Sequence, residues 1–280
     1  MPRRDAEGSG PAVAATAATI PTTRATPGAV SPAVAGLTVE RVRAPFAPVV
    51  DVGDRMVTIV RVDPRAYRVV VRTAGRHGGA RTAPRWVEDL GLAGVANAGM
   101  FHPDLRSVGL LQAPGEIEQA RDNPRYSAYL AVEPLEPGRD RPAVAIFQRG
   151  CPGFDLARIR RDYRTVLQSI AMLDCAGQPI PSPGQRVYSA SAAGIDGEGR
   201  LVFVHVRTPY SMGAFRRILA APEVGLRAAL YLEGGPEASL VVRTGVRAVS
   251  EVGSYESGFF ESDDNHRFWD IPNVIGLQPR

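Results

Sequence analysis

A carboxylate next to two glycines is the part of this sequence with the clearest capacity for chemistry. Residues 229–245 read ALYLEGGPEASLVVRTG, so Glu233 ends one apolar segment, and Gly234 and Gly235 separate it from the next. Such a carboxylate can act as a general acid, a general base or a nucleophile, and unobstructed glycine N–H groups suit an anion. The alternative is a Gly-Gly hairpin. The apolar flanks favour a functional site, because a buried acid needs a partner or a shifted pKa.

A second group of polar residues follows an apolar segment at residues 94–104, GVANAGMFHPD. Asn97 offers both hydrogen-bond donors and acceptors, and Gly99 permits backbone angles or a close approach that other residues do not. His102 comes next, in a loop of the kind that often carries function. On local evidence alone, a simple exit from a strand explains this segment better than a site.

A third candidate lies at the end of the segment LVFVHVR, residues 201–207. Strand alternation places Phe203, His205 and Arg207 on one face, and the two polar side chains are expected to project at the end of that face. An arginine there can clamp a phosphate or carboxylate in a forked geometry. The alternative is a surface arginine paired with an acid.

The absence of lysine excludes several kinds of chemistry. All 33 basic residues are arginines, and the net charge is +4. A Schiff-base lysine, a Ser-Lys dyad and a P-loop lysine are therefore ruled out. The arginines are spread along the chain among acids rather than gathered in a stripe, so we expect no nucleic-acid partner.

The sequence predicts no cofactor or metal. Its four histidines form no HExxH pair and there is no CxxC motif, which argues against zinc. Asp263 and Asp264 could hold calcium, but they lack the spacing of an EF-hand, and a solvated acidic loop is the better interpretation. Cys151 and Cys175 flank a predicted helix, and a disulfide and two free thiols are equally compatible with the sequence.

The composition divides the chain into two parts. Residues 1–36 are rich in Ala, Pro and Thr and lack large apolar side chains, so we expect them to be disordered. Residues 37–280 are expected to form one α+β domain on a mixed, largely antiparallel, twisted β-sheet with flanking helices. No apolar run is long enough to predict a membrane span.

Residue patterns locate most of the elements of this domain. Helices are predicted at residues 83–92, 154–170 and 211–225, the last with Ser211 as its N-cap. Strands are predicted from β-branched content and turn residues; they cover residues 54–64, 66–74, 94–102, 126–134, 142–150, 199–207, 228–235 and 238–244.

The order of these motifs resembles the phosphodiester glycosidase family over roughly residues 50–278. The family's N-G-G-F-F resembles residues 97–101, and its D-G-G-G-S resembles the segment from Glu233, with glutamate in place of aspartate. Its D-G-R at a strand end resembles residues 205–207, where only the arginine is retained. Its R-T-A-x-G resembles residues 190–194, where the arginine is lost.

The resemblance implies hydrolysis of a glycosidic bond in a sugar-1-phosphate diester or a related cell-envelope glycan, as in family members associated with bacterial exopolysaccharide. The alternative is a non-catalytic glycan- or phosphate-binding module. Glu233 and Arg207 would be the catalytic residues, and Glu237 is expected to point away. Substrate contacts are expected from Asn97, Gly99, Phe101, His102, Ser191, His205, Gly234 and Gly235. Such a substrate indicates a secreted or cell-envelope location, with the cytoplasm as the alternative.

Overall fold

The computed structural model describes residues 36–138, 140–244 and 247–280, in which strands are far more abundant than helices. The segment expected to be disordered, residues 1–36, falls outside these ranges except for Gly36. The strands are β1 (Leu37–Arg43), β2 (Met56–Val62), β3 (Tyr67–Thr73), β4 (Gly94–Asn97), β5 (Leu111–Ala113), β6 (Glu116–Gln119), β7 (Ala128–Pro134), β8 (Val144–Gln148), β9 (Tyr163–Ser169), β10 (Val187–Asp196), β11 (Leu201–Ser211), β12 (Leu226–Gly234), β13 (Ser239–Thr244), β14 (Arg247–Val252) and β15 (Asn273–Pro279).

The helices are few and short: α1 (Ala74–His77), α2 (Ala83–Leu90), α3 (Leu156–Asp162) and α4 (Met212–Ala220). Ser211 caps α4 as predicted, because its hydroxyl accepts a hydrogen bond from the Ala214 N–H at 3.2 Å. Among the described helices, none combines the length and the hydropathy needed to cross a bilayer.

The strands form three five-stranded sheets rather than the single sheet that we expected. The first has the order β1-β2-β11-β10-β12, the second β14-β13-β4-β15-β3 and the third β6-β5-β9-β7-β8. The described strand pairs are all antiparallel. The prediction of a largely antiparallel fold is therefore confirmed. Helices are present, but the structure contains much more strand than helix.

One apolar core joins the three sheets. Phe203 from the first sheet, Leu240 from the second and Leu167 from the third all belong to it, and each is at most 1% exposed. Val204 points to the other face of β11 and packs with Phe215 of α4. The predicted alternation along β11 is thus confirmed, and both of its faces are buried. Each fully buried side chain of this kind contributes about 1.5–3 kcal/mol to folding.

The helix predicted at residues 154–170 is only half a helix. Asp155 caps α3 by accepting from the Arg158 N–H at 3.0 Å, but α3 ends at Asp162. The rest is β9, which lies between β5 and β7 at the centre of the third sheet. Val166 and Leu167 enter different core clusters on its two faces, so burial on both faces favours a strand over the helical spacing seen in the sequence.

The two cysteines form a disulfide, with their Cα atoms 5.6 Å apart. The bond joins the turn after β8 to the loop at residues 170–181. That loop lies on β12, where Ala171 forms a bridge with Leu230. The disulfide therefore fastens a loop that pairs with β12, the strand leading to Glu233.

Replacing Cys151 and Cys175 together by alanine is expected to lower the free energy of unfolding by about 3 kcal/mol. The reason is that the bond closes a loop with a sequence separation of 24 residues in the unfolded chain. Urea denaturation measures the change. A reductant should destabilise the wild-type protein by a similar amount and leave the double variant unaffected; equal stability of the oxidised wild type and the variant would contradict the prediction.

Candidate functional site

The segment from Glu233 to Ser239 carries the chain from the first sheet to the second. β12 pairs with β10, whereas β13 pairs with β4 and β14. Between them the residues Gly235–Glu237 form a 3₁₀ turn. The segment is therefore a crossover between sheets, and the alternative of a Gly-Gly hairpin is wrong. We refer to residues 233–239 as the crossover.

A β-bulge precedes the crossover. Ser191 of β10 pairs with Glu233, but the next residue, Ala192, pairs with Tyr231, so Leu232 is the extra residue. A bulge re-aims the side chains that follow it. The Ser191 hydroxyl fixes the irregular backbone, since it donates to the Glu233 carbonyl and accepts from the Glu233 N–H, both at 3.2 Å.

The two glycines of the crossover are required for different reasons. Gly235 has a φ of +60°, in the left-handed region that favours glycine. A Cβ atom there would also lie 2.6 Å from Oε2 of Glu256, while a Cβ atom on Gly234 would overlap the Tyr231 hydroxyl. The missing side chains therefore make room for an acid and a phenol, neither of which was predicted as a site residue.

Three carboxyl groups gather at the crossover: Glu233, Glu237 and Glu256. Glu233 is partly exposed, and its Oε1 accepts a hydrogen bond from the Gly234 N–H at 3.1 Å. Burial raises the pKa of Glu233 well above its ordinary range, and the charge of Glu237 raises it further. The Gly234 N–H offsets part of this rise, and Glu256 adds to it. A protonated Glu233 is favoured.

The sequence suggested that Glu237 points away from the site. In the structure its charge acts on Glu233, so the two acids lie near each other. Burial raises the pKa of Glu237, and the nearby charge of Glu256 adds to the rise. The 3₁₀ turn folds the chain back after the glycines, which brings the second acid near the first. Interacting carboxyl groups of this kind titrate as a set.

Two tyrosines, Tyr231 and Tyr126, lie near Glu233. Burial raises the pKa of Tyr231 well above its ordinary value, and the Glu233 charge adds to the rise. The pKa of Tyr126 is raised by the same two causes in the same order. Both phenols are thus neutral and able to donate hydrogen bonds. Tyr126 comes from a distant part of the chain, so no local signal could have found it.

Asn97 is brought to the crossover, but its amide binds the protein backbone. Oδ1 accepts from the Ser239 N–H at 2.7 Å, and Nδ2 donates to the Glu237 carbonyl at 2.9 Å. The side chain is only 1% exposed. Asn97 therefore fixes the backbone of the crossover, because it binds Glu237 and Ser239 on the two sides of Ala238.

His205 is buried next to Ser191 in the strand register, and its Nε2 lies 3.3 Å from the Ala238 carbonyl. Burial lowers the pKa of His205, so the neutral ring is favoured near neutral pH. Its contact, like those of Asn97, is to the backbone of the crossover.

Arg207 binds the protein's own backbone instead of projecting freely. Its guanidinium donates to the carbonyls of Val252 at 3.0 Å, Asp263 at 2.8 Å and Asn265 at 2.9 Å. It also forms an ion pair with the Asp263 carboxylate at 2.8 Å. Asp263, considered above for calcium, accepts from the Gly53 N–H as well, whereas Asp264 is exposed. Arg207 thus holds the loop at residues 253–265, which contains Glu256.

The remaining predicted residues lie after β4. Gly99 has a φ of +85°, and a Cβ there would lie 3.4 Å from Leu167. Phe101 packs against the cluster that contains Trp86. His102 is exposed in a turn, where its N–H donates to the Arg106 carbonyl at 2.8 Å. The structure gives Phe101 a packing role and leaves His102 at the surface.

A cation that sequence reasoning missed lies beside the acids. The guanidinium of Arg186 is 3.6 Å from the Glu256 carboxylate and donates through Nε to the Ser257 carbonyl at 3.1 Å. Its side chain is 65% exposed. Two surface depressions, one lined by residues 112–117 with Arg164 and the other around Asp63, do not include these residues.

Comparison with known proteins gives a family and a fold. The sequence pattern of phosphodiester glycosidases matches residues 91–278. The structure resembles the catalytic domain of zebrafish N-acetylglucosamine-1-phosphodiester alpha-N-acetylglucosaminidase, auto-inhibited by its pro-peptide, with a TM-score of 0.57 and 16% identity over 88% of this chain and 89% of that one. It also resembles a hypothetical protein from Synechocystis, with a TM-score of 0.56 and 15% identity over 88% of this chain and 62% of that one. No curated protein matches the sequence.

Replacing Asn97 by alanine is expected to lower the free energy of unfolding by about 2 kcal/mol. The change leaves the Ser239 N–H without its partner in a buried place and removes one of the two hydrogen bonds that the Glu237 carbonyl accepts. Urea denaturation measures the loss. His102→Ala, at an exposed position near Asn97 in the chain, is the control and should be nearly neutral; equal effects of the two variants would contradict the structure.

Replacing Glu233 by glutamine is expected to stabilise the protein at neutral pH and to lose this effect in acid. Because the folded-state pKa is raised, wild-type stability falls as pH rises above the ordinary value of 4.5 towards the folded value. Glutamine does not ionise and avoids this loss. The difference in free energy of unfolding between variant and wild type, measured across pH, should therefore grow from about 4.5 upwards. A difference independent of pH would disprove the raised pKa.

Proposed function

This chain belongs to the phosphodiester glycosidase family, and we propose that it hydrolyses the glycosidic bond of a sugar-1-phosphate diester or a related glycan at the carboxyl group of Glu233. The observation that carries the proposal is the pairing of Glu233 with Glu237 at the crossover. A partly exposed carboxyl group with a strongly raised pKa, next to a second carboxyl group, is the arrangement from which enzymes make an acid and a base.

The two acids take different parts in the reaction. In this proposal Glu233, whose pKa burial raises well above its ordinary range, holds the proton, and Glu237 is the ionised member of the pair. Glu237 takes a proton from water as the water oxygen bonds to the anomeric carbon. The bond between that carbon and the phosphate oxygen breaks, and Glu233 protonates the departing oxygen. The products are a free sugar and a phosphate monoester, and the pair regains its starting protonation by proton exchange with solvent.

We assign the phosphate contact to Arg186 in place of Arg207. A guanidinium binds phosphate through donors that are free to turn towards it. Arg207 directs its terminal nitrogens to three carbonyls and the Asp263 carboxylate. Arg186 is exposed; its Nε and Nη2 donate to the Ser257 carbonyl and Nη2 lies 3.6 Å from Glu256, so among the described residues Nη1 has no partner and can turn towards a phosphate. Arg207 is then a positioning residue, since it holds the loop that bears Glu256.

The other predicted residues fall into two groups. Asn97, Ser191 and His205 bind the backbone of the crossover, and we infer that they act by positioning Glu233 and Glu237. Gly234 and Gly235 are buried and leave room for Tyr231 and Glu256, so we infer that they position these side chains instead of contacting the substrate. Direct substrate contacts by Gly99, Phe101 and His102 stay predictions.

A location outside the cytoplasm follows from the same proposal. The disulfide between Cys151 and Cys175 is a bond that persists in oxidising compartments and is rare in the cytosol. A cell-envelope glycan as substrate fits that location. The alternative function, a binding module without turnover, would retain the substrate contacts and lack the acid–base step.

Glu233→Gln is expected to reduce kcat by a factor on the order of 10² to 10⁴, because glutamine keeps the shape of the side chain but has no proton to give to the leaving group. The measurement is release of sugar from a panel of sugar-1-phosphodiesters that begins with N-acetylglucosamine, the sugar in the name of the zebrafish protein. Glu136→Gln, at a side chain that is 79% exposed, is the matched control and should be neutral.

Two results would overturn the enzymatic proposal. Full activity of Glu233→Gln on a substrate that the wild type hydrolyses would remove the acid from the reaction. Saturable binding of the panel by the wild type, with no release of sugar from any member, would select the binding module.

A further inference from the structure

Three aromatic side chains lie together at the surface beyond the carboxyl groups. The rings of Phe259 and Phe260 each contact Trp269 edge to face, with centroid distances of 6.2 and 6.3 Å. Phe259 is 60% exposed, and the other two are partly exposed. We call Phe259, Phe260 and Trp269 the aromatic platform.

A short hairpin fixes the platform to the candidate site. The Glu256 N–H donates to the Phe260 carbonyl at 2.8 Å, and the Phe260 N–H donates back to Glu256 at 2.9 Å. The Glu256 carboxylate lies against Gly235 of the crossover. At the hairpin tip the Gly258 N–H donates to Oε1 of Glu261 at 2.7 Å. The rings and the acids are thus separated by a few hydrogen-bonded residues.

Trp269 is held in place from the other side. Its indole N–H donates to Oδ1 of Asn265 at 3.3 Å, and the buried Asn265 amide donates to the Gly253 carbonyl at 2.8 Å. The Asn265 carbonyl in turn accepts from Arg207. Two rings of the platform therefore lie in the loop that Arg207 holds, and the third, Trp269, is bound to the end of that loop through Asn265.

Polar groups lie along the hairpin that carries Phe259 and Phe260. Arg186 runs along the hairpin and binds the Ser257 carbonyl, and Glu261 is exposed beside the hairpin tip. Aromatic faces attract weakly positive C–H groups because of the ring quadrupole, while guanidinium and carboxylate groups bind hydroxyls. A pyranose ring presents C–H groups on its faces and hydroxyls at its edge, so it matches both parts of this surface.

We propose that the aromatic platform is a saccharide-binding subsite that receives a sugar unit of the substrate beyond the bond that is cleaved. The inference rests on the proposed function and deepens it, because it makes a glycan of several units the substrate rather than a small sugar diester. Among the described residues, other exposed large apolar side chains, such as Val49 and Leu135, belong to no aromatic cluster.

Tryptophan fluorescence can test the subsite directly. The chain has two tryptophans, and Trp86 is fully buried, so an added saccharide can reach only Trp269. The probes are β-1,4-linked hexasaccharides of glucose and of N-acetylglucosamine and the α-1,4-linked hexasaccharide of glucose, added at up to millimolar concentration to Glu233→Gln protein. We expect a saturable change in emission with at least one probe, and no such change in Trp269→Phe.

Phe259→Ala should weaken this binding about tenfold, roughly the loss expected for removing one aromatic contact. Its high exposure means that the substitution leaves the fold intact, which a thermal melt verifies. Leu135→Ala, an exposed apolar position that is 50% exposed, is the matched control and should bind as Glu233→Gln alone does. Absence of a saturable change with all three probes would overturn the subsite, as would equal affinities of the Phe259→Ala and Leu135→Ala proteins.

The binding assay does not depend on turnover, so the two proposals fail separately. Binding at Trp269 by a protein that hydrolyses no sugar-1-phosphodiester would leave the subsite standing and remove the enzymatic proposal. Hydrolysis by the wild type without saccharide binding at Trp269 would do the reverse.

Discussion

The amide of Asn97 is the contact on which the arrangement of this protein's acids depends. It binds the backbone on both sides of Ala238, where the chain leaves one sheet and enters another. Backbone groups at such a passage have no strand partner, and buried unpaired groups are costly. A side chain with both a donor and an acceptor satisfies two of them at once. Ser191 and His205 bind the same short segment from the first sheet, so three side chains from separate strands fix the position of two carboxyl groups.

Holding those carboxyl groups near each other lowers the stability of the folded state when they are ionised. The pKa values of Glu233 and Glu237 are raised, first by burial and then by neighbouring acids, which means that their ionised forms destabilise the folded state. Gly235 of the crossover also leaves room for the carboxylate of a third acid, Glu256. Structural acids are usually paired with a cation, as Asp263 is with Arg207. The Glu233 carboxyl group accepts from the Gly234 N–H, and among the described residues no cation pairs with it, which is one reason to connect it with catalysis.

The loop after β14, residues 253–265, connects Glu256 to the aromatic side chains Phe259 and Phe260. Arg207 holds its two ends through the Val252 and Asn265 carbonyls, and the hairpin between them carries Glu256, Phe259 and Phe260. Because Arg207 reaches the loop from β11, the first sheet positions this loop by direct hydrogen bonds. The disulfide fastens a different loop against β12. Both devices restrain segments that approach the crossover.

The sequence by itself determined the strands with strong β-branched patterns, the alternation along β11, the Ser211 cap and the family to which the chain belongs. These features depend on neighbours in the chain or on a motif order that can be read directly. It also singled out Glu233 as a candidate, because an acid between apolar segments is unusual wherever it occurs. The division into three sheets, the strand at residues 163–169 and the disulfide were decided by the tertiary structure, since pairing and burial on a second face come from distant segments. The same holds for Arg207, Arg186, Glu256 and Tyr126. Whether an arginine binds a ligand or a carbonyl, and which acid or phenol stands beside Glu233, depends on residues that lie far away in the sequence and are brought close only by folding.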